Sequence, residues 1–302
     1  MKANCVYDYF EMTKASIDPY VNAFSENGHT TVENEAAFRR LQLDSPIGVA
    51  PMGFMHCVHP HGELAVAQAC ARANCLLVTS AWSSVAVEEL SQTGCPLCAL
   101  VYTVNLAPHG YKRGRETPRM QPMPMPANLA NAAGRSLNAD ELRKSLFDAD
   151  LRSTWRDFDD VCRYTALPVV AKGVLTGEEA NNAVNHGASA VYVSNHGGRQ
   201  LDCAPATISQ LPEVMDVVAD RCDVYIDSGV RTGGDVFKAV AIGAKEVLVG
   251  KPTAWALAAD GSEGVSSMLR MLTNELQRTM QLTGCTTLTE ITRRRVMLKC
   301  AI

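Results

Sequence analysis

The sequence predicts an α/β fold, a (β/α)8 TIM barrel in which the third β/α unit is missing or distorted. Short apolar runs alternate with helical segments along most of the chain, and such alternation implies parallel strands joined by right-handed crossovers. Polar residues follow these strands at their carboxyl ends. In a barrel those ends share one rim, where active sites lie. The alternation alone also permits an open, doubly wound sheet.

Seven strands are predicted, each a run of β-branched and small residues typical of strands covered on both faces. In chain order they are 46–51, 75–80, 98–103, 168–172, 190–194, 223–227 and 245–249. A complete barrel needs eight strands. The short link at 85–91, between the second and third strands, is where a unit is missing.

Helical periodicity covers the segments between the strands. The predicted helices are 61–74, 85–91, 151–164, 177–186, 207–219, 233–242 and 254–282. Residues 1–45 are interpreted as an N-terminal helical cap, and 46–302 as the barrel of a single domain. Residues 108–139 contain five prolines and no periodicity, which predicts a long mobile loop.

Composition limits the function classes. At 302 residues and 47% hydrophobic, the chain can form one barrel or two smaller domains. The formal net charge of −4 provides no basic field for nucleic acid. No run of about 18 apolar residues and no signal-peptide core occurs, so we expect an intracellular protein without a membrane segment.

The eleven cysteines are irregularly spaced, and most lie in apolar segments. Reduced, buried thiols are therefore expected. Cys95 and Cys98 form a single CxxC motif that no second pair or paired histidines accompany. No metal site is predicted.

The stretch 168–202 carries the most informative side chains. Lys172 ends one predicted strand, and Ser194, His196 and Arg199 follow the next. A cation, a titratable imidazole and a guanidinium at neighbouring strand ends suit an anionic substrate that must lose a proton. The alternative is that His196 is only a hydrogen-bonded turn residue.

The last two predicted βα loops have the composition of a phosphate site. They are 227–234, with the sequence DSGVRTGG, and 249–252, with the sequence VGKP. Glycines let backbone N–H groups approach an anion, and Arg231 and Lys251 would neutralise it. Otherwise these glycines serve only turns and helix starts.

Taken together, the motifs resemble the FMN-dependent 2-hydroxy acid oxidases and dehydrogenases of the glycolate oxidase type. The resemblance is near-continuous over 146–281 and includes VSNHGGRQLD at 193–202, DSGVR at 227–231 and GKP at 250–252. A second block, 46–89, contains APMG at 50–53 and TSAW at 79–82. Residues 7–10 and 34–38 resemble the N-terminal helices of the family.

The resemblance implies FMN as cofactor and oxidation of a small (S)-2-hydroxy acid to the 2-oxo acid, with a hydride passing to the flavin. It assigns His196 as the base, Arg199 to the substrate carboxylate and Tyr9 to a hydrogen bond with the substrate. It places Lys172 near N1 of the flavin ring. Its other cofactor positions are Pro51, Met52, Gly53, Ser80, Thr103, Ser194, Asp227, Ser228, Gly229, Val230, Arg231, Gly250 and Lys251.

The same resemblance implies oxygen or another electron acceptor, and a homo-oligomer, as a tetramer. The charge and the apolar runs of the sequence, for their part, predict no nucleic-acid or membrane partner. Family members in animals are often peroxisomal, but Cys300-Ala-Ile302 is not a Ser-Lys-Leu type ending, so a cytoplasmic location stays open.

Several positions depart from the family pattern. The third strand and its helix are absent between Cys95 and Val101, and with them a flavin-contacting glutamine and a substrate-contacting tyrosine. Asn105 replaces the aspartate that supports the histidine, and an amide cannot stabilise an imidazolium as a carboxylate does. Ser228 replaces a glycine and Lys251 an arginine. The family's second substrate arginine falls within 112–115.

Two main interpretations follow. The first is a 2-hydroxy acid oxidase with reduced or altered activity; the second is a non-enzymatic flavin-binding or cofactor-free barrel, or an incomplete gene product. A different flavin or phosphate-binding barrel enzyme is a further alternative. We expect Lys172, Ser194, His196, Asp227 and Gly250 to face one cavity. We also expect a gap between the strands that end at Ser80 and Thr103, with edges exposed or covered by another segment.

Overall fold

The computed structural model describes residues 32–33, 45–96, 100–105, 126–128 and 153–297. The strands of one sheet are β1 (Val32–Glu33), β2 (Ile47–Val49), β3 (Leu100–Thr103), β4 (Val169–Val174), β5 (Ala190–Val193), β6 (Asp223–Ile226) and β7 (Glu246–Val249). Their order is β1-β3-β4-β5-β6-β7-β2, and every pairing except β1 with β3 is parallel. A parallel bridge between Val49 and Leu77 adds residues 75–78, the Leu77 segment, beside β2. Six of the seven predicted strands are thus present in a parallel, barrel-type sheet, whereas the predicted strand 75–80 forms only the bridge at Leu77.

The helices between the strands agree closely with the predicted periodicity. They are α1 (Gly62–Ala73), α2 (Val87–Ser91), α3 (Trp155–Tyr164), α4 (Gly177–Asn185), α5 (Thr207–Val218), α6 (Gly233–Ile242) and α7 (Lys251–Thr283). Thr154 begins α3 with a capping box, so the helix starts later than predicted. Helix α7 begins earlier than predicted because Pro252 lies in its first turn, where no backbone N–H is required.

The core has two layers, which alternate along each strand. Ala190 and Tyr192 of β5 belong to a cluster inside the sheet, whereas Val191 and Val193 pack in the larger cluster with the helices. This period of two is what strands covered on both faces require. The inner layer also contains Tyr225, whose ring meets that of Tyr192 edge-on at a centroid distance of 6.5 Å. These rings fill the interior below the carboxyl ends of the strands.

The sheet is interrupted where the sequence predicts a missing unit. In the ranges that the structure describes, no ladder joins the Leu77 segment to β1 or β3. The Leu77 N–H instead donates to the Pro96 carbonyl at 2.9 Å. On the other side, β1 pairs antiparallel with the free edge of β3. Both edges have therefore recruited a neighbouring segment, as expected for edges that would otherwise be unpaired.

The structure corrects one prediction locally. Val32 and Glu33 fall within the predicted helical cap but form a strand, consistent with the run of β-branched residues at 30–32. The rest of the cap, including Tyr9, lies outside the described residues, and the single-domain division stays a prediction.

Of the predicted loop 108–139, the structure describes 126–128, and the other residues lie outside the described ranges. Residues 127 and 128 form hydrogen bonds with the segment around α2. The Ala127 N–H donates to the Ser83 carbonyl at 2.9 Å, and Asn128 Oδ1 accepts a hydrogen bond from the Val87 N–H at 3.0 Å. Asn128 thereby satisfies a backbone donor at the start of α2, which has no partner within its own helix. No helix of the described ranges is long and apolar enough to cross a membrane.

Candidate cofactor and substrate site

A cavity of about 370 Å³ opens at the carboxyl ends of the strands, a size suited to a small ligand or cofactor. Most of the predicted site residues line it. They are Pro51, Met52, Gly53, Lys172, His196, Arg199, Asp227, Ser228, Gly229, Val230, Arg231, Gly250 and Lys251. Residues that are up to 200 positions apart in the chain are thus brought together by their common place at strand ends.

Three predicted residues are buried beside the cavity and do not line it. The Ser80 hydroxyl accepts a hydrogen bond from the Trp82 N–H at 3.1 Å, and the Ser194 hydroxyl accepts one from the His196 N–H at 3.1 Å. Thr103 is 5% exposed, and its hydroxyl has no hydrogen-bond partner within the described part of the chain. Ser80 and Ser194 therefore stabilise the backbone of the rim through hydrogen bonds, while the Thr103 hydroxyl makes no hydrogen bond within the described residues.

His196 lies in a turn of left-handed backbone. The φ angles of His196, Gly197 and Gly198 are 59°, 65° and 74°. A residue with a Cβ carries a cost of roughly 1 kcal/mol in this conformation. The Ser194 hydroxyl and the Asn195 side chain, which accepts from the Gly198 N–H at 3.1 Å, hold the turn. His196 and Arg199 are consequently buried in the wall of the cavity at 7% and 6% exposure.

Asn105 contacts the imidazole from the end of β3. Its Oδ1 lies 3.3 Å from His196 Nδ1, and its Nδ2 donates to the Ser194 carbonyl at 3.3 Å. The second bond determines which end of the amide faces the ring. Because Oδ1 can only accept, Nδ1 carries the proton of the neutral imidazole, and Nε2 is the basic nitrogen.

Gly173 makes this approach possible. Its φ is +107°, and a Cβ at this position would overlap the Asn105 side chain. The absence of a side chain at Gly173 therefore allows Asn105 to reach His196, and it also permits the positive φ of the strand at this point.

Lys172 is a buried cation at the floor of the cavity. It is 2% exposed, and its Nζ lies 5.4 Å from the centroid of the Tyr192 ring, a cation–π contact. Lysines are seldom buried without an anionic partner. The position therefore favours an anionic or electron-rich ligand in the cavity.

The loops after β6 and β7 bring two cations and a helix start to the rim. Gly229 has a φ of 93° with open space around it, and the Arg231 guanidinium lies 5.1 Å from the centroid of the Trp255 ring. Helix α7 begins at Lys251, directly after Gly250. The positive end of a helix dipole, together with two cations, suits a phosphate group.

Sequence reasoning missed Glu63 and Thr207, which support the site from behind. The Glu63 carboxylate accepts hydrogen bonds from the N–H groups of Met55 at 3.1 Å and Ser84 at 3.0 Å, and burial raises its pKa. The Thr207 hydroxyl donates to the Asp227 carbonyl at 2.6 Å. The only signal for Glu63 is an acidic residue in the first turn of an otherwise apolar helix. Thr207 gives no signal in the sequence.

The chemistry of the rim fits FMN better than a metal. Lys172, Arg231, Lys251 and the start of α7 supply positive charge for a flavin ring and a phosphate. In the described ranges, no group of three histidine, cysteine or acidic residues could hold a metal ion. The described cysteines are free thiols, and burial raises the pKa of Cys75 to about 12.

Comparison with known proteins agrees with these features. A profile described as FMN-dependent dehydrogenase matches residues 40–107 and 99–298. Glycolate oxidase 1 of Oryza sativa subsp. indica is 37% identical over 298 aligned positions, which cover 87% of this chain and 80% of that protein. A peroxisomal (S)-2-hydroxyacid oxidase of Arabidopsis thaliana is 35% identical over 336 positions, covering 92% of this chain and 90% of that protein. Because that alignment is longer than the 302-residue chain, the relative has segments that this chain lacks.

Solved structures extend the similarity to the fold. A mandelate oxidase variant with (S)-mandelic acid superposes with a TM-score of 0.79 at 29% identity, covering 100% of both chains. Mandelate oxidase with (S)-4-hydroxymandelic acid superposes with a TM-score of 0.77 at 30% identity, covering 96% of this chain and 98% of that one.

Proposed function

Since this chain belongs to the family of FMN-dependent dehydrogenases, we propose that it oxidises a small (S)-2-hydroxy acid to the corresponding 2-oxo acid. The observation that carries the proposal is the shared cavity, whose wall contains a base, a guanidinium and a buried cation. These are His196, Arg199 and Lys172.

Each residue has a separate task. Bound FMN supplies the acceptor for the hydride that leaves the substrate carbon. Arg199 holds the substrate carboxylate through two parallel hydrogen bonds of its guanidinium. His196 takes the hydroxyl proton at Nε2, while its Nδ1–H stays with Asn105. Lys172 provides positive charge on the side of the cavity where negative charge develops.

Asn105 alters the energetics of the proton transfer without changing its geometry. The amide orients the imidazole as a carboxylate would, but it adds no negative charge to stabilise the imidazolium that forms. A native rate below that of an aspartate-containing site is therefore expected.

The second candidate is a flavin-binding barrel without catalysis. It is favoured by the neutral Asn105 and by the sequence distance between Pro96 and β3, since the three positions between them are too few for the third β/α unit of the family pattern. In this case the cavity binds FMN, and the hydroxy acid does not reduce it.

Anaerobic mixing of the flavin-loaded protein with glycolate, lactate and longer 2-hydroxy acids separates the two candidates. We expect the flavin absorbance to bleach with at least one of these acids. His196→Ala should retain bound flavin and lose its reduction, because the imidazole serves proton transfer rather than cofactor affinity. Flavin that stays bound and oxidised with every acid would eliminate the enzyme and leave the non-catalytic barrel.

We also propose the finer properties that the family resemblance implies. These are reoxidation of the flavin by oxygen or another acceptor, a homo-tetramer, and a peroxisomal or cytoplasmic location. Mixing the reduced protein with oxygen, light scattering of the purified protein and fluorescence imaging of a tagged chain would test them in turn.

A further inference from the structure

Two side chains from different loops hold the backbone of one residue, Gly197, on both sides of its Cα. The Gly197 N–H donates to the Ser228 hydroxyl at 3.1 Å, and Lys251 Nζ donates to the Gly197 carbonyl at 3.1 Å. The Ser228 hydroxyl in turn donates to Asp227 Oδ1 at 2.6 Å. The turn after β5 is thereby connected to the loops after β6 and β7.

Ser228 occupies a backbone conformation that favours glycine. Its φ is +73°, and the family resemblance places a glycine at this position. A side chain here carries a conformational cost, which the two hydrogen bonds of the hydroxyl offset. The hydroxyl therefore supplies hydrogen bonds that a glycine at this position cannot make.

The loops on which the two side chains stand are firmly held. The Thr207 hydroxyl fixes the Asp227 and Ser228 carbonyls at 2.6 and 3.1 Å, and Lys251 is the first residue of α7. The turn itself has three successive left-handed residues. Hydrogen bonds with Ser228 and Lys251 therefore help to determine the position of the His196 side chain.

We propose that Ser228 is a positioning residue that, together with Lys251, clamps the Gly197 backbone and sets the place of His196 relative to the cofactor loops. The inference rests on the proposed function, because the position of His196 matters through the proton that it removes. It also gives Lys251 a task besides phosphate binding.

Two variants separate the hydroxyl from the backbone conformation. Ser228→Ala removes the hydroxyl and keeps the Cβ, whereas Ser228→Gly removes both and relieves the left-handed conformation. With saturating hydroxy acid, we expect the limiting rate of flavin reduction to fall about tenfold in both variants. Ser228→Gly should nevertheless unfold at a temperature at least as high as Ser228→Ala. A purely structural role would make the rate follow the stability instead.

Hydrogen exchange of the segment 195–198 is the second measurement, and it is made on the cofactor-free protein. Both variants should exchange faster in this segment, because the Gly197 N–H loses its acceptor. Ser84→Ala is the matched control: its hydroxyl also accepts a backbone N–H, that of His56 at 3.3 Å, but on a different loop. It should leave both the rate and the exchange of 195–198 unchanged.

Native flavin reduction in Ser228→Gly, or unchanged exchange of 195–198 in both variants, would overturn the clamp. Failure of the proposed function looks different: the flavin of the native protein stays oxidised with every hydroxy acid. The exchange comparison still decides in that case whether Ser228 holds the turn.

Discussion

Asn105 orients the imidazole of His196 but does not stabilise its positive charge. Its amide is oriented by the Ser194 carbonyl, so it presents an acceptor to His196 and selects the proton position on the ring. The charge that a carboxylate would add is missing. Geometry and electrostatics, which an aspartate supplies together, are therefore separated in this protein.

Asn105→Asp should accelerate flavin reduction about tenfold, since a carboxylate beside the imidazole favours its charged form by about 1.4 kcal/mol for each unit by which the titration shifts. The acid limb of the pH profile should move to higher pH, because the base is protonated more readily. The variant should also unfold at a lower temperature, since the carboxylate faces the Ser194 carbonyl without a proton to donate. Stopped-flow reduction between pH 5 and 9 tests the rate, and an unshifted acid limb would contradict the role of Asn105.

Gly173→Ala should lower the rate of flavin reduction by displacing Asn105, whose side chain occupies the space that the new Cβ needs. The positive φ adds roughly 1 kcal/mol of destabilisation. Gly94→Ala is the matched control, because Gly94 has a φ of +73° with nothing within 4 Å of the added Cβ. We expect both variants to lose stability in thermal unfolding, but only Gly173→Ala to react more slowly. Equal rates in the two would show that Asn105 accommodates the methyl group.

At the scale of the elements, strand and helix positions could be predicted because they depend on local patterns. The buried runs before Lys172 and His196 and the capping box at Thr176 are visible within a few residues of sequence. Contacts between elements gave no such signal. Asn128 reaches Val87 across 41 positions, and the link from Gly197 to Ser228 spans 31. Whether Ser80 and Ser194 face the cavity or the backbone is likewise decided by the packed rim.

Glu246 at the start of β7 illustrates a feature that periodicity hides. It is 5% exposed, its Oε2 has no hydrogen-bond partner among the described residues, and burial raises its pKa to about 8. The folded protein therefore keeps this proton up to about pH 8, whereas the unfolded chain loses it near the ordinary glutamate pKa of 4.5. The resulting stability is fully present below the lower pKa and is lost as the pH rises through the higher one.

Glu246→Gln should remove this dependence. In the native protein, the free energy of unfolding should fall by up to about 1.4 kcal/mol for each pH unit between pH 5 and 8 because of this one group. Denaturant unfolding at pH 6 and pH 8 measures the difference, with the exposed Glu89→Gln as control. If the gap between the native protein and Glu246→Gln were the same at both pH values, Glu246 would not titrate in this range.

At the scale of the whole molecule, ligand binding should be coupled to stability, because the cavity is built from the loops that follow β2, β5, β6 and β7 and from Lys172 of β4. FMN at 100 times its dissociation constant should stabilise the fold by about 2.7 kcal/mol. Riboflavin, which lacks the phosphate, should stabilise it less at the same concentration, since it forgoes Arg231, Lys251 and the start of α7. Thermal unfolding with each ligand tests this. Equal shifts in unfolding temperature for the two ligands would show that the phosphate does not bind at these loops.

Because of the interruption between the Leu77 segment and β3, the strands form an open barrel whose hydrogen bonding is broken at one place. Local unfolding should begin at the strands beside this opening. Amide exchange should therefore be fastest in the Leu77 segment and β3. It should be slowest in β5 and β6, which have a parallel partner on either side. Lys172, His196, Asp227 and Lys251 all follow or belong to strands β4 to β7, on the arc away from the opening. The loss of one unit therefore weakens the part of the barrel that carries the fewest of these side chains, and the arc that holds them stays continuous.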